Sequence, residues 1–419
     1  MRIVFVLPRY HTNLHHWISK HLEEGDEVKV LVYHNVKRNV NCPVPVDPVP
    51  WSRLTSWIRR RKPDFSVLRY GIPDRRVLKE HLRGFQPDLI VIRDPARFFS
   101  IATILTALRL RLPFVLYTQA PLHGSYGRVK RLFLSALVTL LHTAMISPVR
   151  GNRLERKSLK RFFYLPFSVK TEVKAGDLPA EQLNQQPLGD IQAEQPVLPA
   201  DRHPDLHPNP RPEQAAATDS TGSVKLPGSG ERTGEAKILM IGKYIPRKNH
   251  RLLIDAAALI ENRLPLTVTM IGGITGRGLA ERKELIREYI REKGMGGRIE
   301  QREVLPYREL QKAYDEFDLF VLPSRDEEVG VTVLEAMARG LPVICSDTAG
   351  AADFIREGVN GAVFRSDDVE SLAEAIECCL GDPERTRRMG RKSRWIAEAY
   401  HSPERYHLRL KLLIEKVLR

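Results

Sequence analysis

The sequence predicts an α/β protein made of two doubly wound domains that face each other across a cleft. Short, continuously apolar runs alternate with helical patterns in both halves of the 419 residues. Such runs are typical of parallel strands whose two faces are both covered by helices. A proline-rich segment separates the halves, and the length is sufficient for two or three domains.

Eleven apolar runs are predicted as strands. The first half has strands at 2–8, 27–33, 88–94, 113–119 and 144–149. The second half has strands at 237–243, 266–272, 298–304, 318–324, 342–347 and 362–365. Helical patterns such as 252–261 and 369–380 lie between them and complete βαβ units, and an amphipathic helix is predicted at 403–419.

A long segment between the two halves is predicted to be a disordered linker. Residues 171–236 contain nine prolines and no Phe, Trp or Tyr. A segment of this composition cannot bury enough apolar surface to offset the loss of chain entropy on folding. The predicted units are therefore an N-terminal domain, the linker, a C-terminal domain and a final helix, at 1–170, 171–236, 237–402 and 403–419.

Positive charge is concentrated in the N-terminal domain. The chain has a net charge of +15, yet residues 1–170 alone hold 30 Lys and Arg against 11 Asp and Glu. The linker holds 5 against 11, and residues 237–419 hold 31 against 29. A basic half predicts an anionic partner such as nucleic acid, lipid headgroups or a phosphorylated substrate.

Composition also excludes several classes of protein. The cysteines Cys42, Cys345, Cys378 and Cys379 form no CxxC pair, which argues against a disulfide framework or a zinc ribbon. The apolar run at the start is short for a signal peptide, and the longest run, 132–146, is interrupted by polar residues. These features predict a soluble, intracellular protein.

Candidate binding residues follow strands of the second half, because ligands of doubly wound sheets lie beyond the carboxyl ends of the strands. After the first of these strands, Lys243, Arg247 and Lys248 can neutralise a diphosphate, although a solvated basic loop is the alternative. After the second, Gly272 and Gly273 allow a ligand to approach the backbone closely. No GxGxxG motif follows the first strand of either half, which disfavours NAD.

Two glutamates, Glu327 and Glu335, follow the strand at 318–324 with seven residues between them. If a helix begins near Gly330, Glu327 lies in the preceding loop and Glu335 about one turn inside the helix. Glu335 stands in the apolar stretch VTVLEAMA and needs hydrogen-bond donors, which a vicinal sugar diol supplies. The helix N-terminus suits a phosphate. The alternative for Glu335 is a salt-bridged helix residue.

This stretch resembles the E-x7-E motif of retaining GT-B glycosyltransferases of family 4, the glycosyl transferases group 1, which use nucleotide-sugar donors. Three pieces follow the family pattern in order, namely GKYIPRKNHRLLIDA, DLFVLPSRDEEVGVTVLEAMARGLPVICSD and GVNGAVF. The resemblance covers 237 to about 400 and implies two Rossmann-like domains. The first half shares the architecture and short pieces such as ISPVRGN and YLPFSVK, and TAGAAD at 348–353 departs from the usual Gly-Gly and acidic pattern.

The resemblance implies a role for each matched residue. The implied donor-binding set is Lys243, Lys248, Gly272, Gly273, Glu327, Val331, Thr332 and Glu335. The two lysines would hold the diphosphate, the backbone at Val331 and Thr332 would contact phosphate, and Glu335 would bind the ribose. Glu327 would also be catalytic, because it stabilises positive charge as the glycosidic bond breaks. Neither a cofactor nor a divalent metal is implied, and same-face attack retains the anomeric configuration.

In the N-terminal domain the resemblance implies acceptor binding. His123 follows the strand at 113–119 and is a candidate catalytic residue near the transferred sugar, with a surface histidine as the alternative. His11, His15 and His16 follow the first strand and rank below it. The resemblance also implies that the helix at 403–419 crosses back onto the N-terminal domain.

The stretch 51–62 interleaves Trp51 and Trp57 with five cations. Aromatic rings beside Arg and Lys suit the interface of an anionic membrane. The alternative is a helix that packs both tryptophans on its own core. Together with the charge of the N-terminal domain, the membrane interpretation places the protein in the cytoplasm, peripheral at the inner face of the plasma membrane.

The predicted function is transfer of a hexose or related sugar from a nucleotide-sugar donor to a glycan or lipid-linked acceptor, in cell-surface polysaccharide or lipopolysaccharide synthesis. The alternative is a non-catalytic GT-B protein that binds a sugar nucleotide or a partner. A nucleic-acid-binding protein would explain the charge and neither glutamate, and no nucleic-acid motif is present.

Overall fold

Two parallel β-sheets, one in each half of the chain, form the framework of the protein. The computed structural model describes residues 1–8, 10, 12–33, 42–62, 64–119, 136, 138–148, 162–170, 234–273, 278–327 and 329–417. Nearly all of the predicted linker, 171–233, therefore lies outside the described residues.

The N-terminal sheet has seven strands among the described residues. They are β1 (Arg2–Leu7), β2 (Glu27–Tyr33), β3 (Val46–Val49), β4 (Leu89–Arg93), β5 (Phe114–Tyr117), β6 (Met145–Ser147) and β7 (Phe162–Tyr164). Their order is β3-β2-β1-β4-β5-β6-β7, and every neighbouring pair is parallel. The chain moves outward from β1 to β3 and then returns to the other side of β1, so the topological switch point lies between β1 and β4.

The C-terminal sheet has six parallel strands among the described residues. They are β8 (Ala236–Ile241), β9 (Leu266–Ile271), β10 (Ile299–Arg302), β11 (Leu319–Leu322), β12 (Val343–Ser346) and β13 (Gly361–Phe364). The order is β10-β9-β8-β11-β12-β13, which places the switch point between β8 and β11.

All eleven predicted strands are confirmed, and two further strands were missed. The missed strands are β3, with the sequence VDPV, and β7, with the sequence FFY. Both lie at an edge of the N-terminal sheet. Edge strands tolerate proline and charge, so β3 lacks the continuous apolar run of a central strand, whereas β7 is apolar but only three residues long.

Helices cover both faces of the two sheets. In the first half they are α1 (His15–Glu23), α2 (Arg53–Arg61), α3 (Val67–Tyr70), α4 (Arg75–Phe85) and α5 (Phe98–Leu110). In the second half they are α6 (His250–Ile260), α7 (Leu279–Glu292), α8 (Tyr307–Ala313), α9 (Val331–Ala338), α10 (Val369–Leu380), α11 (Pro383–His401) and α12 (Pro403–Val417). None of the helices in the described part of the chain has the length and apolar character needed to cross a bilayer.

Alternate residues of β4 show why its run is apolar throughout. Leu89 and Val91 belong to the core cluster that contains Trp17 of α1, whereas Ile90 and Ile92 belong to the cluster that packs on α4 and α5. Both faces of the strand are therefore buried, as the continuous run LIVIR predicts.

The C-terminal helix α12 packs on α1 of the N-terminal domain. The ring of Tyr406 stacks on Trp17 with centroids 4.3 Å apart and an interplanar angle of 12°. Lys20 Nζ lies 3.3 Å from a carboxylate oxygen of Glu404. Just before α12, the carbonyl of His401 accepts a hydrogen bond from the N–H of Val169 at 2.9 Å. The first two contacts join α1 to α12, and the third joins the end of α11 to the segment that follows β7.

We expect Tyr406→Ala to lower the free energy of unfolding by about 3–5 kcal/mol, because it removes a buried ring and leaves a cavity beside Trp17. Equilibrium denaturation measures the loss. The matched control is Leu408→Ala on the same helix, whose side chain is exposed. Equal losses in the two variants would show that the stacked pair does not hold α12 in place.

Candidate functional site

The candidate site lies at the carboxyl edge of the C-terminal sheet. The loops that follow β8 and β11 are neighbours because these two strands are paired across the switch point. A backbone hydrogen bond joins the two loops: the N–H of Arg325 donates to the carbonyl of Arg247 at 2.8 Å. Arg247 and Lys248, after β8, therefore come together with Glu327, after β11, although they are about eighty positions apart in sequence.

Glycines after β8 and β9 allow two backbones to come close. A Cβ placed on Gly272 would lie 2.3 Å from the carbonyl oxygen of Gly242 and 2.9 Å from the ring of Tyr244. A Cβ on Gly273 would meet only Val304, at an ordinary 3.8 Å. Strand packing thus requires glycine at Gly272, whereas Gly273 leaves open space beside the backbone. The rest of the glycine-rich loop, 274–277, lies outside the described residues.

Two cations and one carboxylate meet at the centre of the site. Arg247 Nη1 and Lys248 Nζ donate to the same oxygen of Glu327, Oε2, at 2.6 and 2.7 Å. The Lys248 side chain is 13% exposed and that of Arg247 is 42% exposed, so the lysine is the more desolvated partner. Lys243 is exposed and has no ion pair with a described residue. The structure therefore brings Arg247, Lys248 and Glu327 together, and Lys243 makes no ion pair with this cluster.

The loop that carries Glu327 is held by its neighbours. The carbonyl of Glu327 accepts a hydrogen bond of 2.7 Å from the N–H of Gly350, in the stretch that departs from the family pattern. On the other side, Asn249 adopts φ of 52° and its side chain donates to Asp367 at 2.9 Å. Both ends of the ion-pair cluster are thus attached to turns that follow other strands.

Helix α9 begins where the sequence predicts and leaves its N-terminus open. Its N-cap residue, Gly330, has φ of 72° and offers no capping side chain. A Cβ at this position would lie 2.9 Å from both Ala351 and Leu322, so a larger residue does not fit. The first N–H groups of the helix, at Val331 and Thr332, have no hydrogen-bond acceptor among the described residues. Such groups can bind an anion.

Glu335 is the fifth residue of α9 and is half-buried. Tyr314 Oη donates to Glu335 Oε2 at 2.9 Å, which leaves Oε1 without a hydrogen-bond donor among the described residues. Burial raises the pKa of the Glu335 carboxyl to about 7, and the hydrogen bond from Tyr314 opposes this rise. No Lys, Arg or His of the described part lies within ion-pair distance, so the alternative of a salt-bridged helix residue is wrong.

Two aromatic residues that support the candidate site, Tyr244 and Tyr314, were not predicted from the sequence. The Tyr244 ring stacks on His250 with centroids 4.7 Å apart, beneath the loop that carries Lys248. Burial lowers the pKa of His250 to about 4, so its imidazole is neutral at pH 7. Tyr314 was missed as well, because nothing in the sequence spacing connects it with Glu335, twenty-one positions later.

The candidate histidines of the N-terminal domain are only partly described. His123 and His11 lie outside the described residues. His15 and His16 begin α1 with ring centroids 5.3 Å apart. Burial lowers the pKa of His16 to about 4, with a further lowering by the neighbouring His15.

Glu335→Gln is expected to change how stability depends on pH. The folded protein holds the Glu335 proton more tightly than the unfolded chain, whose pKa is near 4.5. Wild-type stability should therefore fall relative to the variant as pH rises from about 5 to about 8. Thermal melts across this range measure the difference. Glu374→Gln, at an exposed position of α10, should show no such trend, and a constant difference for Glu335→Gln would contradict the raised pKa.

The second half of the chain is similar in sequence to known proteins. Residues 225–395 match the family described as glycosyl transferases group 1. A D-inositol 3-phosphate glycosyltransferase of Nocardia farcinica is 34% identical over 164 residues, which is 38% of this chain and 36% of that protein. The chain thus matches little more than a third of the length of this relative.

Solved structures resemble the chain over nearly its whole length. A glycosyltransferase from Rickettsia africae ESF-5 has a TM-score of 0.69 at 14% identity and covers 100% of this chain and 98% of its own. HepE from Anabaena, in complex with UDP, has a TM-score of 0.66 at 15% identity and covers 99% and 100%. At such low identity the likeness establishes the fold alone. The chain therefore has the GT-B fold of two Rossmann-like domains, and its residues 225–395 carry the sequence pattern of the glycosyl transferases group 1 family.

Proposed function

We propose that the protein is a retaining, metal-independent glycosyltransferase of the hexosyltransferase type. It uses a nucleotide-sugar donor and a glycan or lipid-linked acceptor in cell-surface polysaccharide or lipopolysaccharide synthesis. The observation that carries the proposal is the meeting of Arg247, Lys248 and Glu327 in front of the open N-terminus of α9. HepE, which has a similar fold, was solved in complex with UDP, and this supports a nucleotide as part of the donor.

The diphosphate of the donor replaces Glu327 as the partner of the cations. In the structure a single carboxylate oxygen of Glu327 accepts hydrogen bonds from both Arg247 and Lys248. A diphosphate carries more negative charge and more acceptor oxygens, so it can take over these donors and reach the N–H groups of Val331 and Thr332. Release from the cations leaves the Glu327 carboxylate available to accept from hydroxyls of the transferred sugar.

Glu335 binds the ribose of the donor. Its Oε1, which receives no hydrogen bond from Tyr314, accepts hydrogen bonds from the ribose hydroxyls. The ribose hydroxyls supply donors to a carboxylate that is half-buried and has lost part of its hydration. Donor binding therefore favours the ionised form of Glu335 and lowers its pKa from about 7.

Transfer breaks the bond between the anomeric carbon and the diphosphate oxygen and forms a bond to the acceptor oxygen on the same face. The acceptor proton passes to the departing diphosphate. The cations and the helix N-terminus stabilise the negative charge of that leaving group. A divalent metal would otherwise provide this stabilisation. Glu327 stabilises positive charge on the sugar ring.

Glu327→Gln is expected to lower kcat for nucleotide release about 10²–10³-fold with little loss of donor binding, because it removes charge stabilisation in the transition state. A panel of UDP-, GDP- and ADP-sugars, assayed for release of the nucleotide with and without EDTA, identifies the donor. Glu374→Gln serves as the control of equal charge change.

The outcomes of this panel separate the candidate functions. Binding of a sugar nucleotide without release, in the presence of acceptor preparations, would identify the non-catalytic alternative. If no donor binds and Glu327→Gln changes nothing, the enzyme proposal is refuted. Loss of release in EDTA, restored by a divalent cation, would refute metal independence.

We also propose that the N-terminal domain docks on an anionic membrane surface. The two tryptophans of the segment 51–62 lie in different environments. Trp51 packs inward, since a Cβ on Gly71 would lie 2.5 Å from its ring. Trp57 is 46% exposed, and the Arg61 guanidinium lies 4.2 Å from its ring centroid. The alternative in which both tryptophans pack on the core therefore holds for Trp51 alone.

Helix α5 adds a strip of exposed apolar side chains to the proposed docking surface. Its members share one face of the helix and are each 40–44% exposed: Phe98, Ile101, Leu105 and Leu108. The ring of Tyr70 lies 6.0 Å from Phe98 and 6.2 Å from Phe65, which connects the strip with the segment after α2. An exposed apolar strip beside clustered arginines fits the boundary between lipid headgroups and acyl chains.

The double variant Arg59→Glu with Arg60→Glu is expected to weaken binding to vesicles that contain anionic lipid by at least about tenfold, because each cation near the surface contributes about 1 kcal/mol. Vesicle sedimentation measures binding, with neutral vesicles for comparison. The matched control is Arg282→Glu with Arg291→Glu, at exposed positions of α7. Equal binding by both double variants would contradict docking through α2.

A further inference from the structure

A buried arginine of the N-terminal domain has most of its donors unused. Arg93 is the last residue of β4 and is 5% exposed. Its Nη2 donates to Oε1 of Gln119 at 2.7 Å, whereas Nε and Nη1 have no hydrogen-bond partner among the described residues. A guanidinium offers five N–H groups, and buried donors without acceptors are costly.

The charge of Arg93 is also incompletely balanced. Within the described part, the carboxylate within ion-pair distance is that of Asp94, with Oδ2 3.8 Å from Arg93 Nε. The same Oδ2 lies closer to Arg97 Nε, at 3.0 Å. The buried guanidinium of Arg93 is therefore the more distant of two that face this carboxylate, and its charge is only weakly paired within the described part. Such a charge is stable when an anion accompanies it.

Arg93 stands at the topological switch point of the N-terminal sheet. β4 pairs with β1 on one side and β5 on the other, while the chain has reached β2 and β3 beyond β1. The carboxyl ends of strands at a switch point form the crevice where doubly wound sheets bind ligands. The residue thus occupies, in the N-terminal sheet, the place that the donor site occupies in the C-terminal sheet.

Neighbouring side chains hold the guanidinium in a defined orientation. Its carbon Cζ lies 5.7 Å from the centroid of the Tyr117 ring. Gln119 accepts from Arg93 and also donates to Tyr117 Oη at 3.3 Å, so its amide is fixed at both ends. A planar guanidinium that is oriented in this way matches the two oxygens of a carboxylate or phosphate.

We propose that Arg93, oriented by Gln119 and Tyr117, binds an anionic group of the acceptor, a phosphate or a carboxylate. That the anion belongs to an acceptor rests on the proposed transferase function, whereas the anion-binding site itself rests on the contacts of Arg93. The site gives the acceptor a second point of attachment besides the hydroxyl that attacks the donor.

Anion binding is tested with inorganic phosphate as the probe, at constant ionic strength and with UDP present so that the donor site is occupied. Isothermal titration should show Arg93→Met binding phosphate at least about tenfold more weakly than the wild type, because a charged hydrogen-bonding partner is lost. Arg83→Met, at an exposed position of α4, removes the same charge and should bind phosphate as the wild type does. Glucose 6-phosphate and glucuronate then distinguish a phosphate from a carboxylate ligand.

Thermal melts without phosphate separate binding from a structural role. Methionine removes a buried, unbalanced charge, so Arg93→Met should melt at the same temperature as the wild type or higher. Arg93→Lys keeps the charge without the planar fork and should bind phosphate with intermediate affinity. A lower melting temperature together with unchanged phosphate binding would overturn the proposal, as would a wild type that binds neither phosphate nor glucuronate.

The result is independent of the transferase proposal. If Arg93→Met loses phosphate binding and no nucleotide sugar is consumed, the anion site stands and the transferase function fails. If donor use is intact and phosphate binding does not depend on Arg93, the transferase function stands and the anion site fails.

Discussion

Parallel strand pairing is the constraint on which both candidate sites depend. In each sheet every described pair runs in the same direction, so all carboxyl ends gather at one edge. Crossover helices return the chain to the opposite edge, and the loops that carry charged residues accumulate on the functional edge. Arg247 and Glu327 are neighbours for this reason, and so are Arg93 and Gln119.

The same edge concentrates charges that are partly removed from water. Glu327 is stabilised by two cations in the described site, whereas Glu335 has a single tyrosine donor and a raised pKa. In the N-terminal sheet Arg93 shares its carboxylate with Arg97. A ligand of opposite charge or with complementary hydrogen bonds stabilises such groups, because burial has already removed part of their hydration.

Much of the fold could be predicted from local sequence. Central strands such as β4 and β11 are buried on both faces, so their residues are apolar without interruption. An edge strand is not buried in this way and can contain polar residues and proline. The edge strand β3, with Asp47 and Pro48, therefore has no continuous apolar run and was not predicted. The position of Glu335 inside a helix also followed from local pattern, because Gly330 marks the start of α9.

The sequence by itself determined eleven of the thirteen described strands, the spacing of Glu327 and Glu335, and the concentration of positive charge in the first 170 residues. Each of these depends on residues that are close along the chain. The tertiary structure decided that Arg247 and Lys248 meet Glu327, that Tyr314 donates to Glu335, and that Trp51 packs inward while Trp57 faces solvent. It also placed Arg93 at a switch point. These pairings join distant segments, and they depend on strand order and packing, which no local pattern specifies.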